Sequence, residues 1–384
     1  MTEQQIGEIN TAKKSRRFGG IDIVKILASF FVVLVHFYLN TAFYTAIPVT
    51  ETAFYKPILV FWIAYTGVPL FLISTGFLMK NKTLSKKYYL GLIRVVVLYL
   101  VCSLICLLWR MYHYDFNMTG WNWLKGFLQF SHCDYAWYVE FYIILFLLIP
   151  FLNNAYNGLK SQKEKLVLVA TTFVLLIFAP SFFIGTSGNE IQPLPTYMLK
   201  SGLFAYYFLG CYLREFPPRK SRGVKLTMLG VLATSLLHLT YTSYHASINN
   251  NGQIFSGGHF FQYDSYPLYF CSAAIFILLF DIEIRTKTMQ KVLGFLSSLT
   301  LSTYLLSYLY DLKFYAKFNL KYPYTDYLER FRHLHEIVPK VWVLALLTAA
   351  AVEVVYRFCD KSIREAFHRQ VEAAEAEAEK MSKQ

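Results

Sequence analysis

The amino-acid sequence predicts an all-α, polytopic integral membrane protein, a bundle of about ten transmembrane helices with both termini in the cytoplasm. Hydrophobic residues make up 55% of the 384 residues and charged residues only 16%, and the mean hydropathy is +0.37. A soluble domain of this length carries more charge, because water must wet its surface. The apolar residues also cluster in long runs, and these runs define the elements of the fold.

Ten apolar runs approach or exceed the roughly 20 residues that are needed to cross a hydrocarbon core. We expect spans near 21–43, 55–79, 90–112, 136–154, 165–185, 198–214, 224–244, 263–283, 292–310 and 340–358. The run at 198–214 is short, and the pattern allows nine to eleven helices.

The distribution of Lys and Arg predicts the orientation of the chain. With the N-terminus inside, 26 of the 37 Lys and Arg residues fall at cytoplasmic segments and ten at external ones, of which six lie in the long external loop 311–340. We therefore expect a cytoplasmic N-terminal segment at 1–20, a transmembrane domain at 21–358 and a cytoplasmic tail at 359–384. No short apolar core with a cleavage site follows the basic N-terminal residues, so we expect the first helix to be an uncleaved anchor.

The net charge of +13 is explained mostly by this topology and by attraction to membrane lipids with anionic headgroups. A nucleic-acid-binding protein would need a basic stripe on a soluble face, which this sequence does not offer, so we expect no nucleic-acid partner. The six cysteines fall mostly inside predicted helices without the spacing of metal ligands, and we expect no metal.

The first predicted helix carries ionisable residues that a membrane span normally avoids. Lys25 and His36 are eleven residues apart, which places them on one helix face about 16 Å apart along the axis. Asp22 precedes Lys25 by three residues and can pair with it on the same face. Because such residues are costly in a membrane, they usually face the bundle interior and have a function.

This Lys-x10-His arrangement resembles the first helix of the acyltransferase-3 family of membrane-bound O-acyltransferases. Further resemblances follow in order in the segments Gly67–Leu78, Lys86 to Arg94, Trp137–Glu140 and Leu293–Ser307. Two details depart from the family pattern. Ser74-Thr75-Gly76-Phe77 is one residue longer than the usual Ser-Gly-Phe, and Ser307 stands where histidine is common, which leaves His36 as the principal catalytic candidate.

The resemblance implies transfer of an acyl group, most commonly acetyl, from cytoplasmic acyl-CoA to a hydroxyl of a cell-surface glycan or glycolipid. It also implies a bacterial plasma membrane. His36 would act either as general base or as a nucleophile that carries the acyl group. Cations at the cytoplasmic mouth would hold the CoA phosphates, and the candidates are Lys25, Lys86, Lys87 and Arg94. Asp22 would support Lys25, and Glu140 would orient His36 or bind the acceptor.

Other interpretations of these residues stay open. His36 can hydrogen-bond a neighbouring helix, Lys25 can reach the membrane interface, and Arg94 can be an ordinary positive-inside anchor. Glu140 can belong to a structural ion pair. The whole chain can instead be a transporter or flippase for a polysaccharide-related substrate, or a non-catalytic subunit of a polysaccharide-assembly complex. As an enzyme, it would either present the acceptor site itself or pass the acyl group to an extracytoplasmic transfer partner.

Overall fold

The computed structural model describes residues 18–44, 49, 51–114, 118–181, 201–249, 255, 260, 262–322 and 327–382, with side chains up to residue 360. All regular secondary structure in these ranges is helical, as the apolar runs predict. The polar segment before Phe18 and half of residues 245–264, which join two predicted spans, lie outside the described residues.

Fourteen α-helices form the described part of the chain. In chain order they are α1 (Gly19–Asn40), α2 (Tyr55–Tyr65), α3 (Gly67–Met79), α4 (Lys86–Tyr114), α5 (Gly120–Leu128), α6 (Trp137–Gly158), α7 (Gln162–Phe173), α8 (Leu203–Glu215), α9 (Arg222–Asn249), α10 (Tyr266–Leu279), α11 (Lys287–Ser298), α12 (Thr300–Lys321), α13 (Tyr327–Arg332) and α14 (Leu334–Ser382). A π-helical turn and a 3₁₀ turn extend α7 to Ser181.

Seven helical runs in the described part are long and apolar enough to cross a membrane, and the pair α11–α12 adds an eighth if it counts as one bent span. Every one of the ten predicted runs contains a helix. The runs at 198–214 and 263–283 hold only α8 and α10, which are 13 and 14 residues long. The count of ten spans and the cytoplasmic position of the termini therefore remain predictions.

The ninth predicted span differs most from the expectation. The helix axis bends by 55° at Leu299, between α11 and α12, and α12 then continues to Lys321. Asp311 therefore lies within a helix and not in an external loop. The loop predicted at 311–340 is mostly helical, because α12, α13 and the start of α14 occupy its described residues. Hydropathy falls after residue 310 while the helix continues, so the apolar run ended before the helix did.

Helix α1 lies at the centre of the bundle. It packs against α2, α3, α10, α11, α12 and α14, and most of its residues are buried. In contrast, α4 exposes leucines along much of its length, including Leu90, Leu100 and Leu108. Such an apolar outer surface suits contact with lipid. Because α1 is surrounded by other helices instead, its polar residues face the protein interior.

Small residues bring α3 and α8 into backbone contact. A Cβ atom on Gly76 would clash with the carbonyl oxygen of Tyr207, and one on Gly210 would clash with that of Ile73. This reciprocal packing matches the small-residue interfaces of membrane helices. It fixes α3, whose opposite side lines the cavities described next.

Candidate functional site

Two cavities lie in series along α1. The Lys25 cavity has a volume of about 330 Å³, and its polar and charged lining residues include Lys25, Ser74, Thr75, Arg94 and Ser297. The His36 cavity has a volume of about 580 Å³. Its lining is mainly aromatic and apolar and comprises Val32, Val35, His36, Leu39, Tyr44, Ala64, Tyr65, Val68, Asp134, Tyr135, Trp137, Phe255, Tyr263 and Tyr304.

The two cavities share part of their linings. Val32 of α1, Val68 of α3 and Tyr304 of α12 line both, and we call these three residues the shared wall. The Lys-x10-His spacing thus places the cation in one cavity and the imidazole in the other, on opposite sides of the shared wall.

His36 lies beside a buried carboxylate and a buried phenol. Its Nδ1 is 3.6 Å from Oδ2 of Asp311, and both side chains are almost fully buried. The Tyr135 ring stacks on the imidazole with ring centroids 3.6 Å apart, and the Tyr135 hydroxyl donates a 2.7 Å hydrogen bond to the same Asp311 oxygen. Asn40 lies one turn after His36 and donates to the Tyr135 hydroxyl at 3.0 Å.

Two polar atoms of this group have no hydrogen-bond partner among the described residues. They are His36 Nδ1 and Asp311 Oδ1. Buried polar groups are nearly always satisfied, so an unsatisfied pair beside a cavity indicates a functional site. The 3.6 Å between His36 Nδ1 and Asp311 Oδ2 is longer than a hydrogen bond. Catalytic hydrogen bonds are often this long in the absence of substrate and shorten when substrate binds.

The Lys25 cavity has cationic side chains at its edge. Lys25 donates a 3.0 Å hydrogen bond to the backbone oxygen of Ser297, at the end of α11. Arg94 of α4 and Arg357 of α14 both donate to Oε1 of Glu353, at 2.8 Å and 2.7 Å, and the Glu353 side chain is only 1% exposed. Two guanidinium groups on one carboxylate leave a net positive charge, together with N–H groups that can bind an anion.

The comparison with protein families identifies the family of this chain. A family model described as an acyltransferase domain matches residues 18–356, most of the chain. The chain belongs to the acyltransferase-3 family. It is a multi-pass membrane acyltransferase. No curated protein and no solved structure matches it.

The residues predicted from sequence take different places in this acyltransferase. His36, Lys25 and Arg94 line the two cavities. Asp22 is buried in the first turn of α1, one turn before Lys25, and lines neither cavity. Lys86 and Lys87 are exposed at the start of α4, away from both linings.

Glu140 also lies away from both cavities, because its side chain is exposed on α6. The carboxylate beside His36 in the acyltransferase belongs to Asp311, which lies in α12 and not in the external loop that the sequence predicts. Ser74 and Thr75 line the Lys25 cavity, whereas the neighbouring Gly76 allows the close packing of α3 against α8.

Four residues of the site were not predicted from the sequence, namely Tyr135, Asp311, Glu353 and Arg357. Glu353 lies inside the last predicted span, and the cost of a carboxylate in a membrane could have identified it in the way that it identified Lys25. Asp311 directly follows the ninth predicted span. The cost of a carboxylate inside a span could have identified it only if the continuation of the helix past residue 310 had been known. Tyr135 carries no such signal, because aromatic residues are common at membrane interfaces.

Three aromatic rings of the His36 cavity lining stack on one another. Tyr65 and Tyr263 stack with ring centroids 4.5 Å apart at an interplanar angle of 6°. Trp137 stacks on Tyr263 at 5.8 Å and is 40% exposed. These rings offer flat apolar surfaces a short distance from His36.

Proposed function

We propose that this membrane acyltransferase is an O-acyltransferase of the bacterial plasma membrane. In this proposal it moves an acyl group, most simply acetyl, from cytoplasmic acyl-CoA to a hydroxyl of an extracytoplasmic cell-surface glycan or glycolipid. The observation that carries the proposal is the arrangement of the two cavities. A cation-edged cavity and a cavity that contains a histidine meet at the shared wall, so a donor and an acceptor can approach from opposite sides.

The donor side suits a polyanion with a long uncharged arm. Arg94 lines the Lys25 cavity and shares Glu353 with Arg357, which also contacts the lining residue Ser298. Charge-assisted bonds from arginine to phosphate are strong and directional. The apolar lining farther in, including Phe71, Val95 and Leu98, suits the arm that carries the thioester. Lys25 would add a further positive charge near the first turns of α1.

The chemistry at His36 requires a neutral imidazole that can accept a proton. In direct transfer, the acceptor hydroxyl oxygen attacks the thioester carbonyl carbon while His36 Nε2 takes the hydroxyl proton. The C–S bond then breaks, the thiolate takes that proton from His36, and the products are an ester and free CoA. Asp311 faces the other nitrogen, Nδ1, where a carboxylate stabilises the imidazolium form.

The alternative route forms a covalent intermediate on the same histidine. Nε2 attacks the thioester carbonyl carbon, the C–S bond breaks, and CoA leaves as the thiolate, so that an acyl-imidazolium forms on His36. The acceptor hydroxyl oxygen then attacks the acyl carbon, the bond to Nε2 breaks, and the hydroxyl proton passes to the thiolate, which gives an ester, free CoA and a neutral imidazole. Both routes need the same residues. They differ in whether acyl-histidine accumulates when the acceptor is withheld.

The acceptor side suits a sugar. Trp137, Tyr263 and Tyr65 present flat apolar surfaces, on which the apolar face of a sugar ring can pack while its hydroxyls point elsewhere. Asp134 also lines this cavity and can accept a hydrogen bond from such a hydroxyl.

A transporter or flippase is the second candidate, and a specific observation favours it. The α11–α12 pair bends by 55° at Leu299, which resembles the broken helices of transporters. The bend lies between Ser298, which lines the Lys25 cavity, and Tyr304 of the shared wall. An acyl group and a whole transported substrate would both pass through this region. Release of CoA therefore has to distinguish the acyltransferase from the transporter.

The test uses purified protein in liposomes with radiolabelled acetyl-CoA and crude cell-envelope glycan. We expect release of free CoA and transfer of label to the glycan, both lost in His36→Ala, and a raised KM for acetyl-CoA in Lys25→Ala. If folded wild-type protein releases no CoA from either acetyl-CoA or succinyl-CoA, the transporter becomes the better interpretation.

A further inference from the structure

The three side chains of the shared wall are buried. Val32, Val68 and Tyr304 are 6%, 5% and 4% exposed, although each lines both cavities. Any group that passes from the Lys25 cavity to the His36 cavity along α1 must pass these three side chains. The space among these side chains therefore limits the size of a group that can move between the two cavities.

Tyr304 is held in place on several sides. Its hydroxyl donates to the backbone oxygen of Tyr135, and its ring lies near-parallel to the Tyr135 ring at 6.3 Å. The Tyr138 ring meets it edge-on at 6.1 Å, and the His36 ring lies 6.0 Å away. A side chain with these contacts does not rotate away without breaking a buried hydrogen bond.

The two valines are held by the close approach of α1 and α3. A Cβ atom on Gly67 would lie 2.9 Å from both Val32 Cγ2 and the backbone oxygen of Ala28. The helix backbones are thus nearly in contact next to Val68. Because protein interiors are close-packed and resist deformation, the wall cannot widen freely to admit a larger group.

We propose that the shared wall sets the length of the acyl group that this enzyme transfers, by admitting a short acyl chain to His36 and stopping longer ones. This inference rests on the proposed acyl transfer from CoA. It assigns Val32, Val68 and Tyr304 a role in specificity and no part in the chemistry. The thioester lies at the wall when its carbonyl carbon meets His36, so the acyl chain packs against these three side chains and each added methylene group needs room among them.

The size of the effect follows from the fit of apolar groups in pockets. One methylene group that does not fit a closed apolar site changes the specificity constant about 10- to 200-fold. Val→Ala removes both γ-methyl groups from the wall, which makes room for a longer chain. Val33 provides a matched control, because it neighbours Val32 on α1, is 0% exposed and lines neither cavity.

The experiment measures CoA release from acetyl-, propionyl-, butyryl- and hexanoyl-CoA by full-length protein in liposomes with crude envelope glycan. We expect Val32→Ala and Val68→Ala to raise the butyryl-to-acetyl ratio of kcat/KM at least about tenfold. Val33→Ala should leave the ratio within about twofold of wild type. Val68→Leu should lower the propionyl-to-acetyl ratio, which gives a second test if an alanine variant does not fold.

The outcomes separate this inference from the proposed function. Wild-type protein that releases no CoA from any donor contradicts the acyl-transfer proposal itself. Active wild-type protein with unchanged ratios in both alanine variants, or an equal rise in Val33→Ala, overturns the role of the wall. An unchanged propionyl-to-acetyl ratio in active Val68→Leu would also count against the wall.

Discussion

Nδ1 of His36 lies 3.6 Å from Oδ2 of Asp311, and the Tyr135 hydroxyl donates to that same carboxylate oxygen. The three side chains come from α1, the turn before α6, and α12. A carboxylate in this position can orient the imidazole and stabilise its protonated form, which is the arrangement found in catalytic triads. The first prediction tests this relationship.

We expect Asp311→Asn to lower kcat for acetyl transfer about 100-fold, within the usual contribution of an acid–base group. The KM for acetyl-CoA should change less than about threefold, because Asp311 lines neither the Lys25 cavity nor its edge. Steady-state CoA release measures both constants. A larger loss of kcat in Glu140→Gln than in Asp311→Asn would mean that Glu140, the residue predicted from the sequence, orients His36 instead of Asp311.

The second prediction concerns the Tyr135 hydroxyl. Tyr135→Phe keeps the ring stacked on His36 but removes the donor to Asp311, leaving a buried carboxylate oxygen without that bond. We expect kcat to fall about tenfold, because an unsatisfied buried group costs about 1–3 kcal/mol.

Tyr88→Phe is the matched control for this variant. The Tyr88 hydroxyl also makes a buried hydrogen bond, to the backbone oxygen of Phe146, but the residue lines neither cavity. Equal losses of kcat in the two variants would mean that the Tyr135 hydroxyl matters only for packing.

The third prediction concerns Glu353 and its two arginines. We expect Arg94→Ala and Arg357→Ala each to raise the KM for acetyl-CoA about tenfold or more with little change in kcat, because each would remove a charge-assisted bond to phosphate. Arg332→Ala is the control, since Arg332 is exposed and pairs with exposed Glu329. A fall in kcat at unchanged KM would contradict a donor-binding role.

The double variant Arg94→Ala/Arg357→Ala separates binding from stability. It leaves the Glu353 carboxylate buried without either guanidinium, and an uncompensated buried charge costs several kcal/mol. We expect a lower midpoint of thermal unfolding in detergent, and adding Glu353→Gln should restore part of it. If the added substitution lowers the midpoint further, the carboxylate is not the source of the instability.

The sequence predicted the class of fold and the central residue of the site, for a clear physical reason. Long apolar runs cannot be anything but buried or lipid-facing helices, and a lysine and a histidine inside such a run stand out by their cost. Helical spacing then placed Lys25 and His36 on one face, and both do line cavities. Asp311 and Arg357 could not be placed in this way, because they reach the site through the bend at Leu299 and the packing of α14, and neither leaves a local signal.

The acceptor side supplies the fourth prediction. We expect Trp137→Ala to raise the KM for envelope glycan about tenfold, because stacking of an apolar sugar face on this ring would be lost. The KM for acetyl-CoA should stay within about twofold, since Trp137 lines only the His36 cavity. Label transfer at varied glycan concentration measures the first constant, and CoA release at saturating glycan measures the second. A change confined to acetyl-CoA would place the donor, and not the acceptor, against these rings.

The last prediction concerns a buried guanidinium outside both cavities. Arg330 is 0% exposed and donates to the backbone oxygens of Tyr322 and Thr41 and to the Asn319 side chain, at 2.6–2.9 Å. These bonds join the ends of α1 and α12 to α13, and so hold the two helices that carry His36 and Asp311.

Arg330→Ala removes three hydrogen bonds and leaves the buried Thr41 oxygen without this donor, so we expect a loss of about 1–3 kcal/mol of stability and a lower unfolding midpoint in detergent. Arg330→Lys should recover little, because a single ammonium cannot reach three acceptors that suit a planar fork. Arg332→Ala, two residues away and exposed, should change the midpoint little. Equal midpoints for Arg330→Ala and Arg332→Ala would show that these bonds do not fix the ends of α1 and α12.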